Sequence, residues 1–125
     1  LVIRKAEDEL DYAMCANSTN SLGCLAASES AGRTDYKVFG IDDEADQLAA
    51  LTKENSIYYA TVAQNPFEIG VQVMEAAVHA VEGQDDGIVK VDGILVTRDT
   101  VQEYMANREK SLEELKDYLA IITAS

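Results

Sequence analysis

One proline, no tryptophan and a single histidine leave this chain of 125 residues short of several kinds of chemistry. His79 is the only imidazole and stands among small residues in the middle of a helix-like stretch. A Ser-His-Asp or Cys-His nucleophile pair therefore has no support, and no catalytic residue is expected. The two cysteines, Cys15 and Cys24, match no zinc or redox spacing. They read as two buried thiols, one in a strand and one on the following helix, or as a disulfide, which needs their Cα atoms within ~7 Å. Basic residues are few: 10 Lys and Arg stand against 23 Asp and Glu, a formal net charge of -13. Phosphate backbones are bound by clustered cations that displace counterions, so neither nucleic acid nor an anionic membrane surface is an expected partner. No apolar run approaches the ~18 to 20 residues that cross a bilayer. No Gly-rich phosphate loop occurs. The acidic stretches Asp42-Asp43-Glu44 and Gln84-Asp85-Asp86-Gly87 do not follow the EF-hand pattern and read as solvated turns, so neither metal nor cofactor is expected. At the start, Arg4, Lys5 and Glu7-Asp8-Glu9 follow Leu1-Val2-Ile3 directly, which is no secretory signal and reads as a cut or processed end.

What is present is an ordinary globular composition, 47% hydrophobic and 26% charged, in a length that suits one domain with its own core. Strand-like and helix-like segments alternate, the pattern of α/β units around a mainly parallel sheet flanked by helices. Asp11 to Ala16 is a short apolar run that reads as a buried strand. Ser18 to Ala31 follows, rich in Ala, Leu and Ser, with Gly32 suited to a helix end. Tyr36 to Ile41 is the second strand, and Asp43 is placed to cap a helix through Leu48 and Leu51 to about Glu54. Ile57 to Ala63 is the third strand, β-branched and aromatic. Asn65-Pro66 then opens a helix whose apolar face is Phe67, Gly70, Val71, Met74, Val78 and Val81, with Gly83 at its end. Ile88 to Val96 reads as extended chain bent at Val91-Asp92-Gly93. From Asp99 onward the chain is helical, with Val101, Met105, Leu112, Leu115, Leu119 and Ile122 near a heptad seam interrupted at Arg108. Such a seam docks on its own domain or pairs with another helix. The division expected is residues 1–107 as the folded lobe and 108–125 as a helical extension.

Open parallel sheets bind ligands beyond the carboxyl ends of their strands. The polar residues just past the three apolar runs are Asn17, Asp42 and Gln64. Asn and Gln donate and accept, and Asp accepts at two oxygens, a mixture that suits vicinal sugar hydroxyls. Each position has a plainer reading: Asn17 as a helix cap, Asp42 as half of an Asp42-Asp43 cap, and Gln64 as a solvated strand end.

Several segments resemble the periplasmic sugar-binding proteins of the ribose and galactose type. Ala16-Asn17-Ser18-Thr19-Asn20-Ser21-Leu22-Gly23 is similar to their "A-N-D-x-x-A-L-G", and Phe39-Gly40-Ile41-Asp42 to "V-G-F-D". Ala60-Thr61-Val62-Ala63-Gln64-Asn65-Pro66-Phe67-Glu68-Ile69-Gly70 resembles "A-T-V-A-Q-x-P-x-x-x-G", and Ile94 to Asp99 resembles "V-x-V-T-K-D-N". The order and spacing agree over roughly residues 10–105. The resemblance implies the C-terminal lobe of a two-lobed receptor that closes on its ligand like a hinge. It implies that Asn17, Asp42 and Gln64 hydrogen-bond a monosaccharide-like molecule. It also implies lobe-crossing segments near Gln64 and Val91, with the helix from Pro66 to Glu82 packed on the other lobe. Ser18 departs from the family's usual Asp, Thr100 from its usual second Asn, and the tail from Arg108 to Ser125 is longer than usual.

The function this implies is non-catalytic sugar capture for a membrane ABC transporter permease, in the periplasm or at the cell surface, lipoprotein anchoring included. The alternatives are a ligand-sensing module of a membrane signalling receptor, favoured by the heptad-like tail, and the effector lobe of a sugar-responsive transcription regulator. With the N-terminal lobe missing, the chain presents half a cleft, and its apolar Pro66–Glu82 helix is expected to find cover in that lobe or in self-association.

Overall fold

The computed structural model describes residues 10–123, with side chains through 116. Its elements alternate in the expected order: β1 (Tyr12–Met14), α1 (Ser18–Ala31), β2 (Lys37–Ile41), α2 (Ala45–Thr52), β3 (Tyr58–Ala63), α3 (Pro66–Val81), β4 (Ile94–Thr97) and α4 (Val101–Thr123). The four strands form one sheet in the order β1-β2-β3-β4. β1, β2 and β3 run parallel, and β4 returns antiparallel against β3. The fold is α/β with a mainly parallel sheet.

The helix ends follow local chemistry. Gly32 closes α1 in the left-handed region at φ 65, where a Cβ would be strained. Its N–H donates to the Glu29 carbonyl at 3.1 Å, and the Arg33 N–H donates to the Ser28 carbonyl at 3.0 Å. α2 is capped by Glu44 rather than Asp43. The Glu44 side chain accepts from the backbone of Gln47, and the Gln47 side chain accepts in return from the Glu44 N–H at 3.1 Å. Asp43 is committed elsewhere, as described below. Asn65 occupies the cap position of α3 but makes no side-chain cap bond, and Pro66 supplies the pre-set first turn.

One face of the sheet is a packed core. Val38, Tyr58, Ala63 and Val96 meet Leu48 and Leu51 of α2 and Val101 of α4, with Tyr36 at the edge. Register explains the two faces. Gly40 pairs with Thr61, and Thr61 with Val96, toward the helices; Ile41 pairs with Val62, and Val62 with Leu95, on the other side. That other side is open: Tyr12, Met14, Ile41, Tyr59, Val62 and Leu95 are all exposed. Parallel sheets are normally covered on both faces. α3 buries none of its residues, and Phe67, Val71, Met74 and Val78 of its apolar face are exposed. α4 runs without a break through the expected 107/108 boundary.

α1 presents serines inward beside the partly buried Cys24 and Leu25: Ser18, Ser21 and Ser28 are buried. Ser21 Oγ donates to the Asn17 carbonyl at 2.9 Å, and Ser28 Oγ to the Cys24 carbonyl at 2.7 Å, so their hydroxyls are satisfied within the helix. Small side chains let α1 approach β2 closely at Gly40. A Cβ there would collide with the Tyr58 hydroxyl and Ser21 Oγ. Gly40→Ala is therefore expected to cost about 1 to 3 kcal/mol of stability. Urea denaturation of the full-length protein checks this, and an unchanged midpoint would contradict the close approach.

Candidate ligand-binding rim

The carboxyl ends of β1, β2 and β3 lie side by side, and Asp42 bonds both Gln64 and the Ser18 backbone next to Asn17. One carboxylate oxygen of Asp42 accepts from the Ser18 backbone N–H at 2.9 Å, at the first turn of α1. The other accepts from the Gln64 side-chain amide. Asn17 is the residue next to Ser18 and caps α1, its Oδ1 accepting from the Asn20 N–H at 2.9 Å. Asn17 and Gln64 are exposed and Asp42 is half-buried. The structure thus brings Asn17, Asp42 and Gln64 to one rim, with Asn17 also filling its plainer role as a cap.

Asp42 has the left-handed backbone value φ 80, which non-glycine residues adopt rarely. Both of its main-chain polar groups are pinned. Its N–H donates to the Val62 carbonyl at 2.9 Å, and its carbonyl accepts from Thr61 Oγ1 at 2.6 Å. Held this way, the carboxylate faces the first turn of α1, where unpaired N–H groups and the helix dipole favour negative charge. Thr61 was not among the expected site residues. Its signal was present as a hydroxyl in the middle of an otherwise apolar strand.

Ser18 also bears on the rim. Its hydroxyl donates to Glu44 at 2.9 Å, linking the first turn of α1 to the cap of α2. An Asp at this position, as the resembling proteins often have, would put a third carboxylate between Asp42 and Glu44. The serine suits the acid at Glu44.

Asp43 faces the other way, toward α4. Its carboxylate accepts from the Tyr104 hydroxyl at 2.6 Å and pairs with Arg108 at 3.4 Å, while its carbonyl accepts from Arg108 at 2.7 Å. Burial, then the Asp43 carboxylate, pushes the Tyr104 phenol well above its ordinary range, so it remains a donor. The interruption of the heptad seam at Arg108 is thus a docking point on the β2–α2 loop.

Two hollows flank these elements. One of about 240 Å³ lies between the start of α3 and α4, lined by Asp43, Asn65, Phe67, Tyr104 and Arg108 among others. A larger cleft, about 670 Å³, lies at the amino ends of the strands, with Lys37, Tyr59 and Arg98 in its walls. Its cations are placed over the Tyr59 ring, Lys37 at 4.6 Å and Arg98 at 5.5 Å from the centroid. Neither hollow is lined by the Asn17, Asp42 and Gln64 set. The carboxyl rim remains the better candidate, because convergent polar groups and a strained, pinned backbone occur there.

His79 on α3 pairs with Asp86 at 2.7 Å, so the acidic turn after the helix is tied back to it. Among the described residues no group of His, Cys, Asp and Glu is placed to hold a metal ion. No described helix is long and apolar enough to cross a membrane.

A mainly parallel α/β lobe with a polar rim at its carboxyl edge places small-molecule binding, where it occurs, at that rim. A family profile described as "Periplasmic binding protein domain" matches residues 2–85. The chain belongs to that family. Among curated proteins, none matches the chain. Solved structures do. An ABC transporter solute binding protein from Agrobacterium vitis, with bound allitol, is 28% identical at a TM-score of 0.70, over 78% of this chain and 34% of that one. An ABC sugar transporter subunit from Rhodobacter sphaeroides 2.4.1 is 23% identical at a TM-score of 0.67, over 78% and 36%. The periplasmic binding protein component of the arabinose ABC transporter from Shewanella sp. ANA-3, bound to α- and β-L-arabinofuranose, is 20% identical at 0.70, over 92% and 39%. The latter two show the fold. The matched regions make up 34 to 39% of these three solved chains.

Thr61→Val keeps the shape of the side chain but removes the donor to the Asp42 carbonyl. It is expected to lower stability by about 1 kcal/mol, whereas Thr61→Ser retains the bond. Parallel urea titrations of both variants in the full-length protein decide it, and equal losses would show that the hydroxyl does not hold Asp42.

Proposed function

We propose that this chain forms one wall of the cleft of an extracytoplasmic receptor that captures a sugar-like solute without catalysis and delivers it to an ABC transporter permease. The observation that carries this is the meeting of Asn17, Asp42 and Gln64 at one rim. Chemistry assigns each a part. Asp42 accepts from ligand hydroxyls. Asn17 has its oxygen committed to Asn20, which leaves its amide to donate. Gln64 donates to Asp42, which leaves its oxygen to accept. A pair of vicinal hydroxyls matches that donor and acceptor set. The sugar and sugar-alcohol ligands of the similar structures agree with it.

One wall requires a second, supplied in this reading by an N-terminal lobe. The exposed apolar faces of α3 and of the sheet are covered by the same remainder of the receptor. Closure of two lobes on the sugar buries the rim, and the closed form is what a permease distinguishes from the empty one.

A second reading, the sensor module of a membrane receptor, has one observation in its favour. Asp43, adjacent in sequence to Asp42, anchors α4 through Tyr104 and Arg108. A ligand that shifts the β2–α2 loop would thus bear on that helix. The gene context decides between permease and signalling partner.

Asp42→Ala in the full-length protein is expected to weaken sugar affinity by about 1.5 to 3 kcal/mol, the scale of hydrogen bonds to a charged group. That is about 10- to 150-fold in Kd. Titration calorimetry with the sugar that binds the unaltered protein measures it, and an unchanged Kd would refute the site.

A further inference from the structure

We propose that Gln47 is a positioning residue of the ligand rim, one that sets sugar affinity through Asp42 without touching the sugar. Its side chain is fully buried in the first turn of α2, yet both ends of its amide reach back to the β2–α2 connection. Nε2 donates to the Ile41 carbonyl at 2.9 Å, and Oε1 accepts from the Glu44 N–H at 3.1 Å. Ile41 and Glu44 flank the Asp42-Asp43 pair, one on either side. In an ordinary four-residue turn, the carbonyl of the first residue and the N–H of the fourth bond to each other. Here the Gln47 amide stands between those two groups and satisfies both. The turn is thereby held open by the width of the amide.

That opening suits the conformation of Asp42, which lies in the left-handed region at φ 80. The bonds from Asp42 to Val62 and Thr61 fix it to β3, on the sheet side. Gln47 fixes the same stretch of chain from the core side. Its amide has one orientation there, because Nε2 also donates to the hydroxyl of the buried Tyr58 at 2.9 Å. Turning the amide over would set its oxygen against the Ile41 carbonyl and its hydrogens against the Glu44 N–H. The reciprocal cap between Glu44 and Gln47 also places the Glu44 carboxylate. That carboxylate accepts from the Ser18 hydroxyl, beside the Ser18 N–H that Asp42 uses. One buried amide thus sets the position of both carboxylates that face the start of α1. Without it, the Ile41 carbonyl and Glu44 N–H are free to close on each other, and the Asp42 carboxylate turns with them. A carboxylate that must be reordered when the sugar arrives binds it more weakly.

The inference rests on the proposed capture of a sugar at this rim. Its test is titration calorimetry on the full-length protein, with the tightest binder among D-ribose, D-galactose, D-glucose and L-arabinose. Gln47→Met keeps the length of the side chain and removes the amide, and is expected to raise Kd about tenfold. In an Asp42→Ala background the same change is expected to raise Kd by less than about twofold, because its effect passes through that carboxylate. Leu51→Val, one turn further along α2 in the same core, lowers Tm but is expected to leave Kd within about twofold. Should Gln47→Met fail to fold, Gln47→Asn takes its place: it keeps an amide in the core but falls short of the turn, and the same pattern is expected. A loss that persists undiminished in the Asp42→Ala background, or that Leu51→Val reproduces, would overturn the proposal in favour of a general loosening of the fold. An unchanged Kd without the Gln47 amide, while Asp42→Ala weakens binding, would also overturn it and leave the sugar reading standing. An unchanged Kd in Asp42→Ala itself would reject the rim, and this inference with it.

Discussion

Asp42 is held from four directions at once. Its N–H is bonded to Val62, its carbonyl to the Thr61 hydroxyl, and its two carboxylate oxygens to the Ser18 N–H and to the Gln64 amide. Those bonds join three elements, because Ser18 opens α1, Asp42 follows β2 and Gln64 follows β3. The left-handed backbone at Asp42 is tolerable only because both of its main-chain groups are satisfied where they point. A charged acceptor fixed in this way costs little further ordering when a ligand arrives, which is the physical value of preorganisation. The remainder of the rim is arranged around that one carboxylate.

The adjacent residue extends the arrangement. Asp43 turns away from the rim and receives Tyr104 and Arg108 of α4. The Asp42-Asp43 pair thereby faces the rim on one side and a long helix on the other. Behind it, Gln47 is fully buried and donates to both the Ile41 carbonyl and the Tyr58 hydroxyl at 2.9 Å. The end of β2 is therefore braced from the core as well as from its neighbours. The close approach at Gly40, the serine-lined face of α1 and the buried amide of Gln47 are all short-range features.

Local signals made much of this legible. Gly32 marked the end of α1, Asn65-Pro66 the start of α3, and the apolar runs marked β2 and β3 within a residue or two. The rim followed from a topological rule, because residues past the ends of adjacent parallel strands must be neighbours. The cap of α2 was misplaced because three acids in a row, Asp42-Asp43-Glu44, offer equal candidates. The partner that decides, Gln47 three residues after Glu44, was there to be read. The engagement of Asp43 was not legible, since Tyr104 lies 61 residues away and Arg108 lies 65 away. The antiparallel return of β4 was equally hidden, because a four-residue strand carries no mark of direction.

Two surfaces state what the described residues do not supply. The sheet face of Tyr12, Met14, Ile41, Tyr59, Val62 and Leu95 and the unburied helix α3 are both apolar. An α/β receptor half would bury both. The account as a whole stands on sugar hydroxyls meeting the Asp42 carboxylate. The most direct measurement is a crystal structure of the full-length protein with the sugar that stabilises it most in a thermal-shift screen. The account predicts a ligand hydroxyl within hydrogen-bonding distance of Asp42, with Asn17 and Gln64 on neighbouring hydroxyls. A sugar seated elsewhere, with Asp42 bonded only to Ser18 and Gln64, would contradict it.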